Sequence, residues 1–228
     1  MLEEEARWLG RALSAIDASA AFPLLDAGSS TEHFRAVEQP WIDQLIWKPL
    51  RSRGLQVVHV DRREDPGVDL VGDFMDPGFA QELKRRSFRG VFCSNLLEHV
   101  VDRSAVARAL LSVVGEGGYV FASCPFRYPY HADPIDTGFR PTPAELAAVF
   151  PECELLEGAT VTCGSYARYV TRSPALLAKT LVRPLVPFVK PRKWWTAVCH
   201  LPWLFTPFEA TCVVLRKGRR PSRGASPG

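Results

Sequence analysis

Absent from this chain is any run of roughly 18 or more consecutive apolar residues, the length that a membrane-spanning helix requires. Absent too is a C-x-x-C pair: Cys93, Cys124, Cys153, Cys163, Cys199 and Cys212 stand far apart. The usual zinc spacings are therefore excluded and no metal is expected. Cys93, Cys124 and Cys212 lie in apolar, strand-like runs, where cysteine packs as a small hydrophobe, a usage that suits a reducing compartment. The N-terminal MLEEEARWLGRAL is acidic and amphipathic, without the basic start and apolar core of a secretory signal. A cytoplasmic location is expected. Nor is there a large excess of one charge. The net charge is +3, but the last thirteen residues, RKGRRPSRGASPG, hold five basic residues and no acid, which leaves the rest near −2. No nucleic-acid partner is expected, and 218–228 reads as a disordered basic tail.

What is present alternates. Residues 2–16 place Leu2, Ala6, Leu9, Leu13 and Ile16 at helical spacing with Glu and Arg opposite, predicting a lid or packing helix before the first strand. Apolar strand-like runs follow at 22–28, 55–61, 68–74, 88–95, 118–125, 153–161 and 210–217. Between them lie helical patterns: one around Trp41 to Leu50, one opened by Pro77, one capped by Asp102 and ended at Gly115, Gly117 and Gly118, and one capped by Thr142. Strands alternating with helices at this spacing predict an α/β fold: a Rossmann-like, doubly wound, mostly parallel seven-stranded sheet. Residues 1–217 form one domain. A Pro-rich insert at 172–208 precedes the last strand, with Leu, Val and Phe among Arg183, Lys190, Arg192 and Lys193, then Trp194, Trp195 and Trp203. Two readings stand: a peripheral-membrane contact through 183–208, or a helical cap over the sheet edge that includes a homodimer contact.

The strand ends carry the chemistry. In order they present Asp26-Ala-Gly28, Asp61, Asp73-Phe74 and Asn95. A glycine after the first strand lets backbone approach a ligand closely. An acid after the second can accept from both hydroxyls of a ribose, and an acid with an aromatic after the third suits an adenine. Together they describe an adenosine-type pocket. Dinucleotide oxidoreduction is disfavoured, because G-x-G-x-x-G is missing and Asp61 lies too far past Gly28. Beyond the fifth strand comes a dense polar run, His131, Asp133, Asp136 and Arg140, behind Tyr128 and Tyr130.

In these residues the sequence resembles the class I S-adenosylmethionine-dependent methyltransferases, over about 20–165 and the last strand. It is most similar to the small-molecule and glycan-type branch, whose fourth strand leads into a Leu-Glu-His segment, here Leu97-Glu98-His99. Gly117-Gly118 before the fifth strand, Cys124-Pro125-Phe126 after it, and the run from His131 through Asp133, Pro134 and Asp136 to Arg140 continue the match. The resemblance implies a methyl transfer from S-adenosylmethionine to a small-molecule, sugar or lipid-linked acceptor. By it, Asp26, Gly28 and Ser30 lie against the methionine part of the cofactor, Asp61 holds the ribose, Asp73 and Phe74 hold the adenine, and Asn95 lines the methyl-donor position. His131 is the candidate base, with a loop histidine bonded to Asp133 or Asp136 as the other reading. Tyr130, Asp133, Asp136 and Arg140 are candidate acceptor residues, though Arg140 could equally pin its own loop. One departure matters: Ser30 stands where the family's turn has a second glycine. It keeps open a protein of this fold that has lost catalysis and serves as a binding or scaffold partner.

Overall fold

The computed structural model describes residues 1–130, 135–171 and 201–218, together with scattered positions between 177 and 198. Helix α1, Glu3–Ala15, is followed by strand β1, Leu24–Ala27, whose four residues are all buried. A wound segment, Phe34–Ser52, comes next, π-helical over Phe34–Glu38 and Asp43–Trp47. Strands β2, Val57–Asp61, and β3, Leu70–Val71, precede helix α2, Pro77–Lys84, strand β4, Phe88–Ser94, and helix α3, Arg103–Val113. Strand β5, Val114–Arg127, helix α4, Pro143–Ala148, strand β6, Cys153–Ser165, helix α5, Tyr166–Val170, and strand β7, Pro207–Lys217, follow, with short helical turns at Ala18–Ala21, Leu97–His99 and Leu201–Leu204.

The seven strands form one sheet in the order β3-β2-β1-β4-β5-β7-β6. The pairs from β3 to β5 are parallel, and β7 runs antiparallel to both β5 and β6. This is the expected doubly wound sheet. Strand order reverses between β1 and β4, and an open parallel sheet gathers its ligands beyond the strand ends at such a reversal.

Alternation of side chains along β4 and β5 builds two cores. Val91 and Cys93 of β4 and Val120, Ala122 and Cys124 of β5 pack with Val106, Leu110 and Leu111 of α3 and with Leu146 of α4. Phe92 and Phe121 face the other way, onto Leu9 and Leu13 of α1 and onto Ile46, Trp47 and Leu50. Trp47 stands edge-on to both His59 and Phe92, at 5.1 and 5.0 Å between ring centres, within the range such rings favour. Gly10 decides how close α1 can come. A Cβ there would stand 2.3 Å from the backbone oxygen of Leu45, so only glycine lets the helix lie against the wound segment.

The caps at Asp102 and Thr142 are as expected from sequence, and the structure adds Asp76 and Glu145 to them. Asp76 accepts from the Phe79 amide and Asp102 from the Ala105 amide, while Thr142 and Glu145 close a reciprocal capping box. Boundaries differ most at three places. The strand expected over 68–74 shrinks to Leu70–Val71, because it is the outermost strand and has a neighbour on one side alone. Gly117 and Gly118 lie within the extended run of β5, where the turn before the strand was expected. Strand β6 runs on to Ser165, since β7 offers it a partner as far as Pro207. Expectations placed on His131, Asp133 and Pro134, on most of the 172–208 insert and on the tail from 219 fall outside the described residues. Among those described, no helix is long and apolar enough to cross a membrane, and no group of His, Cys, Asp or Glu could hold a metal ion.

Candidate active site

A cleft of about 1590 Å³ opens at the carboxyl ends of the parallel strands, beneath the first turn of α1. Asp26, Gly28, Ser30, Asp61, Asp73, Phe74 and Asn95, expected from strand ends far apart in the sequence, all line it. The sheet brings them together because each follows, or closes, a strand whose neighbour carries the next.

The turn after β1 is held from below and behind. Gly28 has φ +74° and Ser30 φ +56°, a region that costs a side-chain-bearing residue roughly 1–2 kcal/mol. What holds Ser30 there is visible. Its amide donates to Asp61 Oδ2 at 2.9 Å, and the Arg35 guanidinium donates to the carbonyls of Ser29, Ser30 and Gly67 at 2.9, 2.7 and 2.7 Å. Arg35 is buried, and its removal from water lowers its pKa while the charges of Asp26 and Asp69 raise it. Asp61 also accepts the Arg63 amide on Oδ1 at 3.1 Å. Each carboxylate oxygen of Asp61 thus has one backbone donor and retains a second acceptor position. Asp26 is engaged differently: its buried Oδ2 lies 2.7 Å from Nδ1 of His59, its register partner on β2.

Asp73 accepts the Met75 amide at 2.9 Å and has Arg62 3.5 Å away, and Phe74 leans on Phe79. Asn95 sits at the end of β4 with φ +50°. Its amide nitrogen donates to Glu5 Oε1 at 2.7 Å and to Ser94 Oγ at 3.1 Å.

On the far side, the Leu-Glu-His segment and the loop after β5 form one unit. The Glu98 carbonyl accepts both the amide and the hydroxyl of Thr137, at 2.9 and 3.0 Å. His99 Nδ1 meets the carbonyl of Ile135, and Arg103 lies 4.4 Å over the Phe139 ring. Arg140 grips Asp136 through two parallel contacts of 3.0 and 2.6 Å. The Asp136 side chain is fully buried. Neither residue is among those lining the cleft, and Tyr130 is largely exposed outside it, whereas Tyr128 and Pro129 do line it.

Neither a family model nor a curated protein matches this sequence. Solved structures do. A protein from Galdieria sulphuraria described as a sarcosine dimethylglycine methyltransferase aligns with a TM-score of 0.53 at 12% identity, over 93% of this chain and 85% of that one. The MccD protein aligns at 0.51 and 13% identity, over 93% and 96%. A protein of Bacillus halodurans C-125 described as a methyltransferase aligns at 0.50 and 14%, over 92% and 97%. The fold is that of the Rossmann-like methyltransferases.

In this methyltransferase fold three residues matter that the sequence did not announce. Glu5 was expected on the solvent face of α1, yet it is 1% exposed and reaches beneath the helix to β4 and β5. A signal existed: Glu5 lies four and eight residues before the buried Leu9 and Leu13, on the same stripe of the helix. His59 and Arg35 gave none: the partner of His59 lies on another strand, and Arg35 joins the nearby turn to the distant Gly67 through backbone carbonyls that carry no residue-type signal.

Proposed function

We propose that this protein is an S-adenosylmethionine-dependent methyltransferase acting on a small-molecule, sugar or lipid-linked acceptor. The observation that supports it is the single row Gly28, Asp61, Asp73, Phe74 and Asn95 along one wall of the cleft. The residues fit the cofactor. Gly28 exposes backbone where a Cβ would press on Leu96 Cδ1 at 3.1 Å. Asp61, already oriented by two amides, keeps an acceptor position on each oxygen for a pair of ribose hydroxyls. Asp73 and Phe74 offer an acceptor and an aromatic face at the outer end of the row, and the serine-bearing turn is held in shape by Arg35.

The cofactor supplies an electrophilic methyl group on a sulfonium. The chain's part in such an in-line displacement is proximity and alignment. The Leu-Glu-His turn and the loop 135–142 tie the cofactor wall to the segment after β5 through Thr137, so the acceptor side is positioned by the same element that lines the donor side. His131, which follows Tyr130, is proposed as the base that takes a proton from a hydroxyl acceptor. Asp133 and Tyr130 are proposed on the acceptor side, while Asp136 and Arg140, paired with each other and outside the cleft lining, are proposed to hold that loop in shape rather than to touch the acceptor.

Calorimetry of the purified chain with S-adenosylmethionine and S-adenosylhomocysteine tests the reading. Binding of both, weakened roughly tenfold or more by Asp61→Ala through loss of charge-assisted hydrogen bonds, is the expected result. Absence of binding by the folded wild-type chain would overturn it and leave the scaffold alternative standing.

A further inference from the structure

We propose that Glu5 is a positioning residue of the methyl-transfer site: it fixes the amide of Asn95 and sets a buried negative charge beside the methyl-donor position, so that the site favours a sulfonium over an uncharged thioether. This rests on the methyltransferase reading above, and on Asn95 lining the donor position.

The hydrogen bonds run in one direction. Glu5 Oε1 receives the Asn95 amide at 2.7 Å and the Ser123 hydroxyl at 2.6 Å, and Oε2 receives the Leu2 backbone amide at 2.8 Å. Every one of these is a donation to Glu5, an arrangement that suits an ionised carboxylate. Ser123 spends its single proton on Glu5, so in its 2.8 Å contact with Ser94 it accepts. Ser94 in turn accepts the second amide hydrogen of Asn95. Both hydrogens of the Asn95 amide are therefore committed on the protein side. The carbonyl Oδ1 remains, and among the described residues nothing donates to it. The network decides which end of the amide is available to a ligand.

The charge is held where it is by more than this network. Arg168 of α5 contacts Glu4 and lies 3.7 Å from Glu3, and the Trp41 indole donates to the Met1 carbonyl at 3.1 Å. These fasten the first turn of α1 over the cleft, so Glu5 has a fixed place at the ends of β4 and β5. Glu5 is almost completely screened from water, and a charge in such surroundings acts on a nearby cation more strongly than the same charge in solvent. An oriented carbonyl dipole and a buried carboxylate both favour positive charge on the ligand.

The two cofactor forms differ at one atom that matters here. S-adenosylmethionine carries a positive sulfur; S-adenosylhomocysteine has a neutral one and shares the amino acid, ribose and adenine. The ratio of their dissociation constants cancels the common parts and isolates the response to the sulfonium. In Glu5→Gln the side chain keeps its size and loses its charge. The expected result is a fall of about tenfold in preference for S-adenosylmethionine, equivalent to ~1.4 kcal/mol, with affinity for S-adenosylhomocysteine little changed. A purely structural role would weaken both ligands by the same factor, and that outcome, or an unchanged ratio, overturns the proposal. Should Glu5→Gln fail to fold, Asn95→Gly takes its place, since glycine accepts φ +50° without strain. It removes the oriented carbonyl, and a wild-type ratio in that variant equally overturns the proposal. If the wild-type chain binds neither compound, the methyltransferase reading itself falls and this inference with it; binding of both with an unaltered ratio refutes the role of Glu5 alone.

Discussion

Replacing Glu98 by methionine should make the protein more stable at neutral and alkaline pH. The Glu98 side chain is fully buried, and no other residue gives either of its oxygens an N–H or O–H hydrogen bond among the described residues. The groups acting on it are the thiols of Cys93 and Cys124, the N-terminal ammonium, the Arg140 guanidinium, the Glu5 carboxylate and His99, whose Nε2 lies 3.8 Å from Oε1. Burial pushes its pKa up from 4.5 to about 7; the charge of Glu5 acts in the same direction, while its own backbone amide, the N-terminal ammonium and Arg140 oppose it. Below pH 4.5 the folded and unfolded chains both hold the proton, and the group contributes no pH dependence. Between 4.5 and 7 the folded chain keeps a proton that the unfolded chain has released, so raising the pH favours unfolding. At ~1.4 kcal/mol per pKa unit the whole interval is worth about 3 kcal/mol. Methionine has nearly the same length and nothing to ionise. Urea denaturation of wild type and Glu98→Met across the range should show the difference in stability moving about 2–3 kcal/mol in favour of the variant between roughly pH 5 and pH 8. A difference that stays constant with pH would refute the argument, because it would mean that Glu98 titrates alike in both states.

Two further perturbations test the framework around the cleft. Arg140→Ala leaves the buried Asp136 carboxylate without its bidentate partner and should cost about 3 kcal/mol in urea unfolding. Lysine at the same position should recover only part of this, since it lacks the planar fork; a loss under about 1 kcal/mol would show the pair to be dispensable. Gly10→Ala drives a Cβ against the Leu45 carbonyl, a backbone atom that cannot swing aside. A loss of about 2 kcal/mol with faster amide exchange across α1 is expected, and a wild-type melting temperature would contradict the packing of α1 described above.

Much of the frame could be read directly from the order of residues. Runs such as LQVVHVD and FRGVFCSN are apolar enough to be buried on both faces, which a parallel sheet demands. The interruptions at Gly28, Pro77 and Asp102 place helices between them. Caps were legible because they are local: Asp102 and Thr142 act within three residues of themselves. The cleft-lining set was legible for a related reason. Once strands alternate with helices in a parallel sheet, whatever follows each strand must meet at one edge, so Gly28, Asp61, Asp73 and Asn95 could be grouped without coordinates.

The stretch after β5 divided on inspection of the fold. Its polar residues form a dense cluster in sequence, yet Asp136 and Arg140 are turned to each other and away from the cleft lining. Spacing alone reports that an acid and a base can meet; it does not report which surface they leave open. Ser30 gave the opposite surprise. Its position in the turn looked like a weakness, but Asp61, from the next strand, and Arg35, five residues on in the wound segment, hold its backbone at positive φ.

By itself, then, the sequence determined the α/β alternation, the caps and the set of strand-end residues, because periodicity, turn chemistry and parallel-strand geometry act over short distances or by strict rule. Only the tertiary structure decided that Glu5 passes under α1 to Asn95 and Ser123, that Arg35 bridges two loops, and that the carboxyl of Glu98 is enclosed without an N–H or O–H donor from any other residue among those described. Those facts depend on which distant segments pack against one another, and no local pattern records a partner that lies 90 residues away, as Asn95 does from Glu5.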